Sequence, residues 1–152
     1  MNLKNLFTLT IRVEDYNLVA QKPELVKKLR ELTIRPTSGM NYELNSLNRI
    51  RQTRPVDCKI LIAYQNRKMV GWAMLSNEDS IFPFFPFGKY FKASEGSLFE
   101  VYINPKNRKQ GIASALLKKA IKHTNKKLCV APHDLASREF YRKFDKCQFT
   151  LL

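Results

Sequence analysis

The period of the apolar residues changes several times along the chain, and each change marks an element. Between Phe7 and Val13 apolar and polar positions alternate, which predicts a first strand with one buried face. Pro23 then opens a helical stretch from Glu24 to Leu32, in keeping with the place of Pro in a first turn, where its missing N–H is not needed. Tyr42, Leu44, Leu47 and Ile50 recur at helical spacing and predict a second helix from Tyr42 to about Gln52. Cys58–Tyr64 and Met69–Leu75 read as a hairpin across Gln65-Asn66-Arg67-Lys68. In its second strand Val70, Trp72 and Met74 form an inner set that alternates with Gly71, Ala73 and Leu75. Both sets are apolar, so this strand is expected to be buried on both sides.

Downstream, Phe99, Val101 and Ile103 mark another strand, ended by Pro105 and a basic loop. Ile112, Ala113, Leu116, Leu117, Ala120 and Ile121 give a helix an apolar face, and Leu128-Cys129-Val130-Ala131 reads as a short buried strand. The pattern breaks between Asn77 and Gly96. There Phe82, Phe84, Phe85, Phe87, Tyr90 and Phe91 crowd around Pro83 and Pro86, and prolines at that density exclude a central strand. Such an aromatic loop either folds back on the core, lines an acceptor pocket or docks a partner. Beside Lys89 and Lys92 it also has the makings of a base-stacking surface. A length of 152 residues fits one α/β domain over 1–152.

Charge changes the picture. Against 13 Asp and Glu stand 27 Lys and Arg, a net +14. No acidic residue occurs from Val101 to His133, whereas Lys106, Arg108, Lys109, Lys118, Lys119, Lys122, Lys126 and Lys127 all do. Either this is a solvated face that aids solubility or it meets an acidic macromolecule such as RNA, DNA or an acidic protein. Three cysteines, an odd count without a CxxC pair, argue against a disulfide framework or a zinc site, and Cys129 is expected in the core. The stretch Leu6–Ile11 alternates with Thr and lacks a cleavage site, so it reads as a strand and not a signal peptide. No apolar run approaches the roughly 20 residues of a membrane span, and a cytoplasmic protein is expected.

The candidate chemistry centres on FEVYINPKNRKQGIA, residues 99–113. Arg108, Gly111 and Ala113 stand in the spacing R-x-x-G-x-A between a strand and a helix. Such a loop aims successive N–H groups at one point, at the positive end of the helix dipole, and suits a pyrophosphate. Gly111 lets the backbone approach the phosphates without a Cβ in the way, and Lys106, Arg108 and Lys109 add charge. Short glycine patterns alone also fit an ordinary strand-to-helix turn. No Ser-His-Asp arrangement, metal-ligand cluster or nucleotide-triphosphate loop is found.

With the residues around it, this loop resembles the GNAT superfamily of acetyl-coenzyme A-dependent N-acetyltransferases. The similarity rests on Ile103-Asn104-Pro105, on Arg108 to Ala113 with the helix after them, and on Asp134, Ser137, Phe140, Tyr141, Lys143 and Phe149. Asp134 takes the slot of a family Asn, Ser137 that of an Ala and Asp145 that of a Gly, departures that bear on the last helix and strand and leave the loop untouched. The resemblance implies a central mixed sheet of about six to seven strands with helices on both faces. It also implies acetyl-CoA held by Val101, Ile103, Arg108, Lys109, Gln110, Gly111, Ile112, Ala113, Asp134 and Tyr141, with the backbone N–H groups of the strand ending at Ile103 polarising the thioester carbonyl. Tyr141 would supply the proton to the departing thiolate. Glu100, on the strand face opposite Val101 and Ile103, is the candidate base, with His133 and Asp134 as alternatives. Two functions follow, for a monomer or homodimer without membrane partners. One is acetyl transfer to a primary amine on an acidic macromolecule, aminoacyl-tRNA or a protein amine. The other is a fold that has lost catalysis and acts as a basic nucleic-acid- or protein-binding inhibitor.

Overall fold

A computed structural model describes residues 9–33, 40–78, 96–130, 135–143 and 149–151. The elements are β1 (Leu9–Asp15), α1 (Tyr16–Val19), α2 (Pro23–Leu32), α3 (Met40–Arg51), β2 (Cys58–Gln65), β3 (Lys68–Ser76) and β4 (Ser97–Ile103). After a 3-10 turn (Pro105–Asn107) come α4 (Ile112–Lys122), β5 (Leu128–Val130), α5 (Leu135–Arg142) and β6 (Phe149–Leu151). The first strand runs two residues beyond the expected Val13. Its last residue, Asp15, doubles as the N-cap of α1 by accepting the Asn17 N–H at 2.7 Å. Four residues are too few to show a period, so α1 left no mark on the pattern.

All six strands form one mixed sheet in chain order. β1 to β4 pair antiparallel in succession, and β4, β5 and β6 pair parallel. The hairpin turn falls where expected, with Asn66 at φ 52 and Arg67 at φ 67, the double left-handed geometry that matches strand twist. Gly71 lies opposite Ala63 and Met69 opposite Tyr64, so Val70 is an extra residue in β3. This bulge corrects one expectation: Val70 packs with Ala73 and Leu75, across the sheet from Trp72 and Met74.

The sheet has apolar side chains on both faces, and helices cover each. On one face Ile60, Ile62, Trp72, Met74 and Leu98 meet Tyr16, Val19, Leu29, Leu44 and Leu47 from α1, α2 and α3. On the other Leu61, Ala63, Ala73, Phe99 and Val130 meet Ile112, Leu116, Leu117 and Ala120 of α4 and Tyr141 of α5. Each large side chain removed from water in this way contributes roughly 1.5–3 kcal/mol. Buried polar groups on the first face find partners. The Trp72 indole N–H donates to the Leu29 carbonyl at 3.2 Å, and the Tyr16 hydroxyl bonds the Asn48 side chain. Beside the sheet, Arg54 grips the Glu78 carboxylate with two bonds of 2.9 and 2.6 Å, and the Asp57 N–H adds a third. Cys58 and Cys129 are buried free thiols.

Candidate active site

The site begins where the sheet parts. β4 pairs with β3 from Leu98↔Ser76 to Ile103↔Gly71. With β5 it pairs only at Ser97↔Leu128 and Leu98↔Cys129. Direction follows from two bonds at the ends. The Ser97 N–H donates to the Lys127 carbonyl at 2.9 Å, and the Asn104 N–H donates to the Val70 carbonyl at 2.8 Å. Because N–H directions alternate along a strand, those of Phe99, Val101 and Ile103 point to the β5 side. Past the last pair, the N–H groups of Val101 and Ile103 point to the β5 side with no strand partner among the described residues.

The loop from Asn104 to Gly111 closes one end of that opening. Asn104 accepts the Lys106 N–H at 3.3 Å and starts the 3-10 turn. Lys109 at φ 63 and Gly111 at φ 81 both take the left-handed conformation, which turns the chain sharply into α4. The first bond within that helix runs from the Ala115 N–H to the Gly111 carbonyl at 3.0 Å. The N–H groups of Ile112, Ala113 and Ser114, ahead of it, are those a helix start leaves without intrahelical partners. A Cβ built on Gly111 meets no heavy atom of the described residues within 4 Å. Packing thus leaves this position open, and the space in front of the helix N-terminus is free for an anionic group.

Side chains fix the loop from behind. The buried Gln65, at the end of β2, donates to the Gln110 side-chain oxygen at 3.3 Å and accepts from the Asn107 amide at 3.2 Å. Arg108 turns back on its own strand. Its Nε donates to the Ile103 carbonyl at 3.2 Å, and its guanidinium lies 5.6 Å from the centre of the Tyr102 ring. Arg108 and Gln110, expected as ligands, thus also hold the loop's shape. Lys106 and Lys109 are exposed.

Glu100 points to the α3 side, opposite Val101 and Ile103 as expected. There it faces Glu43 of α3, near enough for its charge to act on that carboxyl. Glu43 is buried and its carboxyl is held well above the ordinary range, first by burial and then by the charge of Glu100. Glu43 Oε2 is buried with no partner among the described residues. Tyr141, on α5, is buried with its ring edge-on to Phe140 at 5.1 Å. Its phenol is pushed well above the ordinary value, mainly by burial and further by the charge of Glu100. Glu100 is thus near enough to act on both groups.

Sequence reasoning missed Glu43, Gln65 and Asn107. For Glu43 a signal existed: with Leu47 and Ile50 it falls at the 4- and 3-residue spacing of one helical face, an acid among core positions. For Gln65 none did, since a polar residue before a turn is ordinary. Asp134 and His133, along with the aromatic run 82–91, lie outside the described residues. Among the described residues no group of His, Cys, Asp and Glu could hold a metal ion, and no helix is long and apolar enough to cross a membrane.

Comparison with known proteins agrees with this geometry. The model of the Acetyltransferase (GNAT) family matches residues 26–145. The curated proteins give no match. Among solved structures, a predicted acetyltransferase with acetyl-CoA from Clostridium acetobutylicum is similar at TM-score 0.52 and 19% identity, over 95% of each chain. An aminoglycoside antibiotic 6′-N-acetyltransferase from Acinetobacter haemolyticus is similar at TM-score 0.54 and 15% identity, over 94% of this chain and 95% of that one. An acetyltransferase of Trypanosoma brucei shares 21% identity at TM-score 0.51, over 89% of both chains.

Proposed function

The chain belongs to the GNAT family of acetyltransferases, and from that premise we propose that it transfers the acetyl group of acetyl-CoA to a primary amine carried on an acidic macromolecule. The observation that carries this reading is the empty approach to Gly111. A residue held at φ 81 with nothing among the described residues within 4 Å of a Cβ lies at a helix start whose N–H groups have no helical partners, at the mouth of a parted sheet. That arrangement fits a pyrophosphate.

Each candidate residue then has work at a stated atom. The N–H groups of Gly111, Ile112 and Ala113 receive phosphate oxygens, with Arg108, Lys109 and Gln110 shaping and charging the loop. Val101 and Ile103 offer β4 backbone groups to the pantetheine arm and to the carbonyl oxygen, where negative charge develops during attack. Burial keeps the Tyr141 phenol protonated, so it stands as a donor to the sulfur as the C–S bond breaks. Asp134 stays a candidate for the cofactor site, and Glu100 is the candidate base. The net charge of +14, with Lys118, Lys122, Lys126 and Lys127 exposed on and after α4, supports an acceptor on a polyanion, aminoacyl-tRNA or an acidic protein.

Calorimetry with acetyl-CoA, followed by mass spectrometry of RNA and protein fractions incubated with it, tests both halves. Binding with an acetylated amine product is expected, and recruitment of an RNA acceptor would weaken steeply with added salt. Absence of binding at millimolar acetyl-CoA overturns the reading.

A further inference from the structure

The helices over one sheet face leave a groove between them. α1 is capped at Ala20, α2 opens at Pro23, and α3 carries Asn48. The groove has a volume of about 600 Å³, and its lining among the described residues is Ala20, Pro23, Val26, Lys27, Arg30, Glu31 and Asn48. Pro23, Val26, Lys27 and Arg30 fall at the 3- and 4-residue spacing of one helical face, so α2 supplies most of the wall. Ala20, Pro23 and Val26 give it an apolar stretch. A concave site of this size, apolar with a few converging polar groups, is what a small molecule needs.

The polar groups still able to bond a ligand are mostly donors. Asn48 Oδ1 accepts the Tyr16 hydroxyl, which leaves the amide its Nδ2 hydrogens. Arg30 gives Nη2 to the Asn45 side-chain oxygen at 2.7 Å and keeps its other N–H groups. Lys27 is exposed and forms no ion pair among the described residues. The charges of Arg30 and Arg51 both act on the Tyr16 phenol beside Asn48, so positive charge gathers on this side. Glu31 is the one acid of the described lining.

We infer that this groove binds a small amphipathic carboxylate, with Arg30, Lys27 and the Asn48 amide on its charged end and Ala20, Pro23 and Val26 under its aliphatic body. Two cations against one acid favour an anion over an amine. Glu31 then selects among anions. A phosphate monoester carries most of a second negative charge at neutral pH and meets more repulsion there than a carboxylate does. The groove is remote from the phosphate loop. Asn17 ties α1 to Val56, ahead of β2, with bonds of 2.9 and 3.0 Å. Gln65, which holds the loop, stands at the far end of that strand, roughly 20 Å along it. This is therefore a second site, and its occupancy does not depend on acetyl transfer.

Amide NMR of the intact protein, titrated with hexanoate, tests the site. Resonances of Val26, Lys27, Arg30 and Asn48 should shift together and saturate with a Kd on the order of 1 mM, the range open to so small a ligand. Asn48→Asp still accepts the Tyr16 hydroxyl but sets a negative charge where the amide donated, so affinity should fall by ~10-fold or more. Lys27→Gln alters an exposed charge and should weaken binding by ~3-fold, the scale of one exposed ion pair. Hexanol should bind more weakly than hexanoate, and hexyl phosphate no more tightly. Equal binding of hexanol would leave the charged end without a role, and tighter binding of hexyl phosphate would put a phosphate in place of the carboxylate. Either result overturns the proposal, as does unchanged affinity in the two variants. So does an absence of shifts at ten times that Kd, or a shift pattern that acetyl-CoA abolishes by competition, which would place hexanoate in the cofactor site. A protein that binds hexanoate in this groove and never binds acetyl-CoA would overturn the proposed function alone.

Discussion

On its β3 side β4 is matched residue for residue from Leu98 to Ile103, and on its β5 side it is matched at Ser97 and Leu98 alone. One strand thus has a closed edge and an open one. The closed edge is packed to the limit: a Cβ on Gly71 would lie 2.6 Å from Ile103 Cδ1 and 2.9 Å from the Tyr102 carbonyl oxygen. On the other side a Cβ at Gly111 meets nothing among the described residues. Two glycines close to β4 thus answer to different demands. Gly71 is small because another strand is there, whereas Gly111 answers to its left-handed φ of 81. The comparison teaches that, among the described residues, β4 keeps unpaired backbone groups on the side where the proposed cofactor would lie.

The largest expected effect breaks the open side. Gly111→Glu places a side chain and a negative charge where the pyrophosphate would sit, and it holds a non-glycine residue at φ 81. Acetyl-CoA binding measured by calorimetry should be abolished. The unfolding free energy, read by chemical denaturation, should fall only by the strain of one left-handed residue, about 1–2 kcal/mol. Retained binding would mean that the phosphates lie elsewhere.

Next comes Tyr141→Phe, which removes one oxygen, the buried hydroxyl on α5. Binding should persist while thiol release slows by ~10²-fold. An unchanged rate would return Tyr141 to the packing role that its contacts with Phe140 already give it.

The two sides also differed in how far the sequence disclosed them. The ladder from β1 to β4 was legible because alternation and turn chemistry are local signals, and the strands at Cys58 and Lys68 fell within a residue or two of expectation. The loop was legible through its spacing, and the family resemblance gave Tyr141 and Glu100 their places. What stayed hidden was non-local. The bulge at Val70 depends on how β3 seats against β2, so alternation alone put Val70 on the wrong face. The Glu43–Glu100 pair joins residues 57 positions apart, and nothing in either local pattern requires them to meet. Gln65 likewise acts through partners on a loop far along the chain.

A third substitution sharpens the closed side. Gly71→Ala forces a methyl against a backbone oxygen and a core side chain, so β3 and β4 must separate or Ile103 must shift. Overpacking of this kind costs about 1–3 kcal/mol. Chemical denaturation should register that loss, with acetyl-CoA affinity little changed at temperatures where the protein stays folded. A larger loss of affinity than of stability would show that the closed edge sets the position of the Val101 and Ile103 backbone.

The smallest effect concerns the residue that links the two sides. Gln65 ends β2 in the closed ladder, yet its side chain reaches the loop at Asn107 and Gln110. Gln65→Ala removes both bonds and leaves the Asn107 amide and the Gln110 oxygen to water, at a net cost of about 1 kcal/mol for each bond lost. Part of that cost falls on the folded state whether or not ligand is present. Only the share that tightens the loop around the phosphates appears in affinity, so acetyl-CoA binding should weaken by about tenfold or less. The rate at saturating acetyl-CoA should not change, because the two bonds that the variant removes reach the loop, at Asn107 and Gln110. A fall in that rate with affinity intact would show that the loop governs chemistry as well as binding, and the ladder would then be setting the geometry of the open side.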